Sequence, residues 1–273
     1  MDGPDLTSGV EELAPGAAPG PNGAGRADLQ VVARVATLLR LITPNQATIG
    51  LTEATEALGP GVSKSTAHRY LNSLVNHGFL KRVDGTRYTL GALVDQLGVV
   101  AANRWRVMEV AGPVMQELAT GAHQTVVLSV WGGMGPVIAR VTEDTSQVVH
   151  ISVSVGSTLP LESAQGLMFL AHLTNRDASR PLVQLLPPQQ LLAMQDRLEQ
   201  IRADGIASHE QMVAGVRAMA VPVLERDGTI VATLAVVGTL NSVPADTSSG
   251  VAQALTRSGK QLSRLVQGHT EEG

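Results

Sequence analysis

The chain has 273 residues, 44% of them hydrophobic and 16% charged, with a formal net charge of −4 and no cysteine. That composition supports one large domain or two modest ones and excludes wholesale disorder, disulfides, thiolate metal sites and cysteine nucleophiles. The acidic start, Met1-Asp2-Gly3-Pro4-Asp5, lacks the blocks of a signal peptide, and the longest near-continuous apolar run, Ile230 to Leu240, is too short to cross a bilayer. A soluble, cytoplasmic protein with no membrane partner is expected.

Residues 1–27 are rich in Gly, Pro and Ala and set Arg26 against Asp2, Asp5, Glu11 and Glu12. They read as a disordered tail. From Asp28, Leu29, Val32, Val35, Ala36, Leu39 and Ile42 recur at helical spacing until Pro44. Thr52 is the expected cap of a short helix through Leu58, and Ser63 that of a third helix, which buries Ala67, Tyr70, Leu71, Leu74 and Val75 and stops at Gly78. Phe79–Val83 and Thr86–Leu90 then flank Asp84-Gly85, a dipeptide suited to a tight I′ turn. The stretch from Gly91 to Arg104 is again helical and reads as a linker.

The second half mixes strands and helices. A helix from about Val107 to Thr120 precedes strands at Thr125–Trp131 and Pro136–Val141. Val148 to Val155 alternates, with Val149, Ile151, Val153 and Val155 on one face, which predicts a half-buried strand. Helices follow near Ser163–Leu173 and Gln189–Asp204. Strands at Met219–Leu224 and Thr229–Val237 join through Arg226-Asp227-Gly228, and a last helix ends near Val266. Short turns between strands and clustered helices predict an α+β fold with a mostly antiparallel sheet.

Three helices followed by a hairpin make a winged helix-turn-helix layout. The third helix turns Lys64, Ser65, His68, Arg69, Asn72 and Asn76 outward, and between Pro60 and Leu90 five basic side chains face only Asp84. A DNA-reading helix needs short polar and basic groups on its free face. Ser63, Ser65 and Thr66, with free N–H groups of the first turn, suit phosphate oxygens, and Arg69 or Asn72 suits base edges. Arg82 and Arg87 lie on the wing, within reach of neighbouring phosphates. The other reading of the pattern is a helical interaction or metabolite-binding module whose basic residues are merely solvated, without sequence-specific DNA binding.

Val62-Ser63-Lys64-Ser65-Thr66-Ala67-His68-Arg69-Tyr70-Leu71, with Gly78-Phe79-Leu80 and Tyr88-Thr89-Leu90-Gly91, resembles the DNA-binding domain of IclR-family transcriptional regulators. Leu159-Pro160-Leu161, Ser163-Ala164, Gly205-Ile206-Ala207 and Gly215-Val216 running into Ala220-Val221-Pro222-Val223 are similar to that family's later segments. The resemblance covers roughly residues 28 to 266. It implies a winged helix-turn-helix domain over 28–90, a linker helix over 91–104 and a GAF-like effector-binding domain over 105–268. It also implies homodimers or homotetramers on double-stranded operator DNA, a small-molecule effector, and control, by repression, of a catabolic operon. Two departures stand out. The turn Gly59-Pro60-Gly61-Val62 is longer than usual, and the Ser163 region is one residue short, with Leu167 where many relatives carry lysine.

In relatives responsive to glyoxylate and pyruvate, an acidic residue and two serines hold the ligand's polar atoms. By resemblance their positions are Ser208, Ala235 and Val237, beside Val216 and Ala218, with Ile151, Ala164 and Gln165 as further walls. Loss of the acid and the hydroxyls disfavours a tiny charged ligand, whose carboxylate would be desolvated without compensation. An aromatic acid or a derivative, apolar in body with one polar end, is the expected effector.

No enzyme, metal site or cofactor is expected. The seven histidines show no ligand spacing, Gly132-Gly133-Met134-Gly135 reads as a turn between strands, and no nucleophile elbow is present. His209-Glu210 reads as the solvated start of a helix.

Overall fold

The computed structural model describes residues 22–104, 106–146, 151–173, 188–210 and 215–268. Helix α1 (Asn22–Arg40) begins inside the stretch expected to be tail. Ala24, Arg26 and Ala27 are good helix formers and carry the helix back toward Asn22. It also stops before Pro44. The Leu41 and Ile42 N–H groups bond the carbonyls of Leu38 and Leu39, at 3.3 and 3.2 Å, a tightened final turn that ends the α pattern at Arg40.

A two-residue strand that the sequence reading did not anticipate, β1 (Ile49–Gly50), runs straight into α2 (Leu51–Ala57). The N-cap is therefore Gly50 rather than Thr52. Glycine has no side chain to cap with, and the Glu53 carboxylate instead accepts the Gly50 N–H at 2.9 Å. Helix α3 (Lys64–Asn76) starts as expected after Ser63, whose hydroxyl accepts the Thr66 N–H at 3.2 Å. Gly78, at φ 75°, reverses the chain beyond it.

Strands β2 (Leu80–Val83) and β3 (Arg87–Leu90) pair antiparallel, and β1 joins the far side of β3. Asp84 and Gly85 both take positive φ, 54° and 72°, as an I′ turn requires. Pairing resumes at Val83 with Arg87, so Thr86 makes the loop one residue longer than the tight turn expected. Leu38, Ile49, Leu71, Leu74, Leu80 and Tyr88 close over one another as the core of this part.

Helix α4 (Ala92–Arg104) leaves from Gly91, whose N–H donates to the Phe79 carbonyl at 2.8 Å. A Cβ at Gly91 would run into the carbonyl oxygens of Gly78 and Leu80. Only glycine lets the chain pass so close to the hairpin.

Helix α5 (Arg106–Ala122) leads into β4 (Thr125–Trp131) and β5 (Pro136–Thr142). After them come α6 (Ala164–His172), α7 (Pro188–Asp204), β6 (Ala207–Glu210), β7 (Val216–Leu224), β8 (Ile230–Thr239) and α8 (Gly250–Gly268). The sheet order is β5-β4-β8-β7-β6, and every pairing is antiparallel. The fold is α+β, as expected.

Strict alternation divides the strands between two cores. Val126, Leu128, Met219, Val221, Leu234 and Val236 face α5 and α8. Val127, Ala218, Ala220, Ala235 and Val237 face α6 and the Ile201 turn of α7.

Two expectations are corrected. Residues 148–150 of the proposed strand lie outside the described residues, and Ile151 to Ser154 form no strand ladder. The alternation survives only as burial: Ile151 and Val153 pack on the core while Val155 is exposed. The backbone there is tied by the Thr125 hydroxyl, which donates to the Ile151 carbonyl at 2.5 Å, and backbone contact with β5 begins only at Gly156, whose N–H donates to the Ile138 carbonyl at 2.7 Å. His209-Glu210 lies on strand β6, not at a helix start, because Ala207–Glu210 pairs with Arg217–Ala220 of β7.

Candidate functional site

The exposed face of α3 gathers most of the polar residues expected to meet nucleic acid. Lys64, Ser65, His68 and Arg69 are exposed, Thr66 and Asn72 half-buried, while Ala67, Leu71 and Leu74 are buried beneath. At the N-terminus three hydroxyls cluster: Ser63 Oγ lies 2.8 Å from Ser65 Oγ and 3.0 Å from Thr66 Oγ1. Such hydroxyls beside a helix N-terminus suit a phosphate.

The wing and the helix are fastened together. The Arg82 guanidinium donates to Asn72 Oδ1 and lies 5.7 Å from the Tyr88 ring centroid, while Asn72 Nδ2 is 3.3 Å from His68 Nδ1. Arg87 is turned elsewhere. Its Nε donates to Thr48 Oγ1 at 2.7 Å and its Nη2 to the Thr48 carbonyl at 2.8 Å, with Glu53 Oε1 3.2 Å away. Two backbone N–H groups, its own and that of Gly50, hold the Glu53 carboxyl below its ordinary range, and Arg87 adds to the effect. Arg87 therefore braces β3 to β1 and α2, and the sequence offered no sign of this because Thr48 and Glu53 lie far away along the chain.

The second constellation is a cavity of about 370 Å³ between the sheet and α6. Of the residues expected to hold an effector, Ile151, Gln165, Val216, Ala218 and Val237 line it, and Val127, Ile138, Ser152, Val153 and Leu159 complete it. The alternation of β4 pointed to Val127; nothing in the sequence pointed to Leu159.

Three anticipated residues are elsewhere. Ala164 and Ala235 are fully buried in the same core without reaching the cavity wall. Ser208 stands opposite Met219, and directly paired residues share a face, so its side chain lies on the α5–α8 side. The β6 residues on the cavity side of the sheet are Ala207, opposite Ala220, and His209, opposite Ala218. Burial first, then the nearby Arg197, pushes the His209 imidazole below its usual value, against the opposing pull of Glu162 and Glu210.

Within the cavity wall, Gln165 is 3% exposed. Its Oε1 accepts the Ser129 hydroxyl at 2.8 Å and its Nε2 donates to the Val127 carbonyl at 3.2 Å. Among the described residues no group of His, Asp and Glu is arranged to hold a metal, and no helix is long and apolar enough to cross a membrane.

Two family models match the chain. The IclR helix-turn-helix domain matches residues 31–84, and the C-terminal part of bacterial transcriptional regulator IclR matches residues 99–264, more than half of the sequence. The chain belongs to the IclR family of transcriptional regulators. An IclR-family protein of this organisation is a DNA-binding regulator, with a head that carries the helix-turn-helix.

Among relatives, the HTH-type transcriptional regulator Rv1719 of Mycobacterium tuberculosis is 30% identical over 202 residues, covering 70% of this chain and 75% of that protein. The IclR transcriptional regulator of Alicyclobacillus acidocaldarius superposes with a TM-score of 0.65 at 26% identity, covering 86% of this chain and 98% of that one. An IclR homologue of Microbacterium hydrocarbonoxydans, solved in complex with 4-hydroxybenzoate, has the same fold, with a TM-score of 0.65 at 20% identity and coverage of 86% and 98%. The IclR fold thus places the polar α3 face at one end of the chain and the α6 cavity in the domain that follows.

Proposed function

We propose that this regulator binds operator DNA as a homodimer, or as a pair of dimers, and releases it when a small, apolar-bodied metabolite enters the α6 cavity, so that it acts as a cytoplasmic repressor of a catabolic operon. The observation that carries the reading is the α3 face: Lys64, His68 and Arg69 exposed on a helix whose other side is sealed into the core. Residues 28–90 form the reader, 91–104 the link and 105–268 the sensor. Arg69 reads a base edge, Ser63, Ser65, Thr66 and Lys64 take phosphates, and Arg82 exchanges Asn72 for the backbone when DNA arrives.

Self-association is supported by unpartnered apolar side chains. Val31 and Val32 of α1 and Leu97, Val99 and Val100 of α4 are 46–65% exposed. One recognition helix covers only a few base pairs, and two half-sites require two subunits. An aromatic body for the effector is supported by the cavity's apolar walls and by the fold neighbour that binds 4-hydroxybenzoate.

The test is a gel shift with DNA from upstream of the chain's own gene, repeated with scrambled DNA and with aromatic metabolites. Operator-selective, salt-sensitive binding that a metabolite relieves is expected. Equal binding to both DNAs, insensitive to salt, is incompatible with the reading.

A further inference from the structure

The Gln165 amide has chemistry left over. A backbone carbonyl can only accept, so the group facing the Val127 oxygen is Nε2, and Oε1 is the atom that takes the Ser129 hydroxyl. One N–H of Nε2 and one lone pair of Oε1 remain, on a buried side chain that forms part of the cavity wall. A side-chain amide thus offers a donor and an acceptor side by side.

The rest of the wall, among the described residues, carries no positively charged side chain. Val127, Ile138, Ile151, Val153, Val216 and Val237 are apolar, and among the described residues no Lys, Arg or His lines the cavity. The other polar lining residue, Ser152, already donates its hydroxyl to Glu143 Oε1 at 2.6 Å. An anionic ligand would lose its hydration against apolar walls and meet the Oε1 lone pair as well as the N–H of Gln165.

We propose that the cavity selects an uncharged ligand whose polar end presents a donor and an acceptor together, a primary amide or lactam, read by the side-chain amide of Gln165. This rests on the reading of the domain as a ligand sensor and narrows it from aromatic acids to their neutral derivatives. A carboxylate brings two acceptors to a site that offers one donor and one acceptor. An amide matches both.

The experiment is calorimetric titration of the full chain at pH 7.5 with naphthalene-2-carboxamide and with naphthalene-2-carboxylate, a pair of one shape and different charge. The amide is expected to bind at least tenfold tighter. Gln165→Leu should erase the difference by weakening the amide alone. Because Gln165 also ties α6 to β4, a second variant guards against misfolding: Val153→Lys, in an irregular half-buried segment, should reverse the preference toward the carboxylate. Wild-type protein that binds the carboxylate as well as or better than the amide overturns the proposal and leaves the regulator reading standing. An amide preference that survives in folded Gln165→Leu also overturns it. If neither probe binds while operator DNA is still shifted, the ligand cavity is refuted and the DNA-reading head is not.

Discussion

Arg69 and Arg87 carry the same charge and belong to the same basic stretch, yet the structure gives them different work. Arg69 is exposed on α3, whereas the Arg87 guanidinium is held by Thr48 and Glu53. Arg69→Ala should cost about 1–3 kcal/mol of operator affinity and relax discrimination at one base pair. Arg87→Ala should instead cost about 1 kcal/mol of folding stability, the worth of a few part-exposed hydrogen bonds. Titrations across salt, paired with urea melts, separate the two. A loss of about one unit of salt slope in Arg87→Ala would return that arginine to the phosphates.

His172 carries a pH prediction at the same scale. Burial, the largest influence, lowers its pKa from the ordinary 6.5, opposed by its bond to the Met168 carbonyl and helped by Arg202. With the folded value below the unfolded one, the unfolded chain binds more protons between the two, so stability falls as pH drops below 6.5. Thermal melts from pH 8 to pH 5 should therefore slope down in the wild type and less steeply in His172→Gln. Parallel slopes would show that His172 is not responsible.

At the scale of elements, the junction between hairpin and α4 rests on one glycine. Gly91→Ala would push a methyl into the carbonyls of Gly78 and Leu80, an overpacking that costs about 1–3 kcal/mol. The expected result is a less stable head in denaturant melts, with ligand binding in the α6 cavity retained. An unchanged melt would mean that the backbone there has room to move.

Elements with a strong period were readable in advance. Helix α3 announced itself by Ser63, its apolar stripe and Gly78, and β4 and β5 by runs of β-branched residues around a glycine turn. Strand β6 was not readable, because Ala-Ser-His-Glu has no strand signature and exists only through its pairing with β7. The same dependence misplaced Ser208. Motif resemblance fixes position along the chain, but the face a side chain takes depends on register, and one residue of register exchanges Ser208 for His209. Ile151–Val155 shows the converse: alternation expresses half-burial, and a strand needs a neighbouring edge as well.

At the scale of the whole molecule, the exposed apolar residues of α1 and α4 call for a partner. Light scattering at micromolar concentration should report at least twice the monomer mass. Val99 is 63% exposed, so Val99→Asp leaves the fold alone and should shift the mass toward the monomer while weakening operator binding. A stable monomer that grips a palindrome as tightly as the wild type contradicts this.

The division of the five-stranded sheet into two cores also bears on how such a chain diversifies. Neighbouring positions in β8, Leu234 and Val236 against Ala235 and Val237, answer to different constraints, one pair to α5 and α8 and the other to the cavity side. Substitutions on the cavity side can retune what the protein senses while the face against α5, the helix that follows the linker, keeps its packing. On the proposed reading, chemical preference and mechanical coupling fall on alternate residues of the same strand. A lineage built so would exchange one metabolite for another by single side-chain steps, without at any stage losing its connection to the operator.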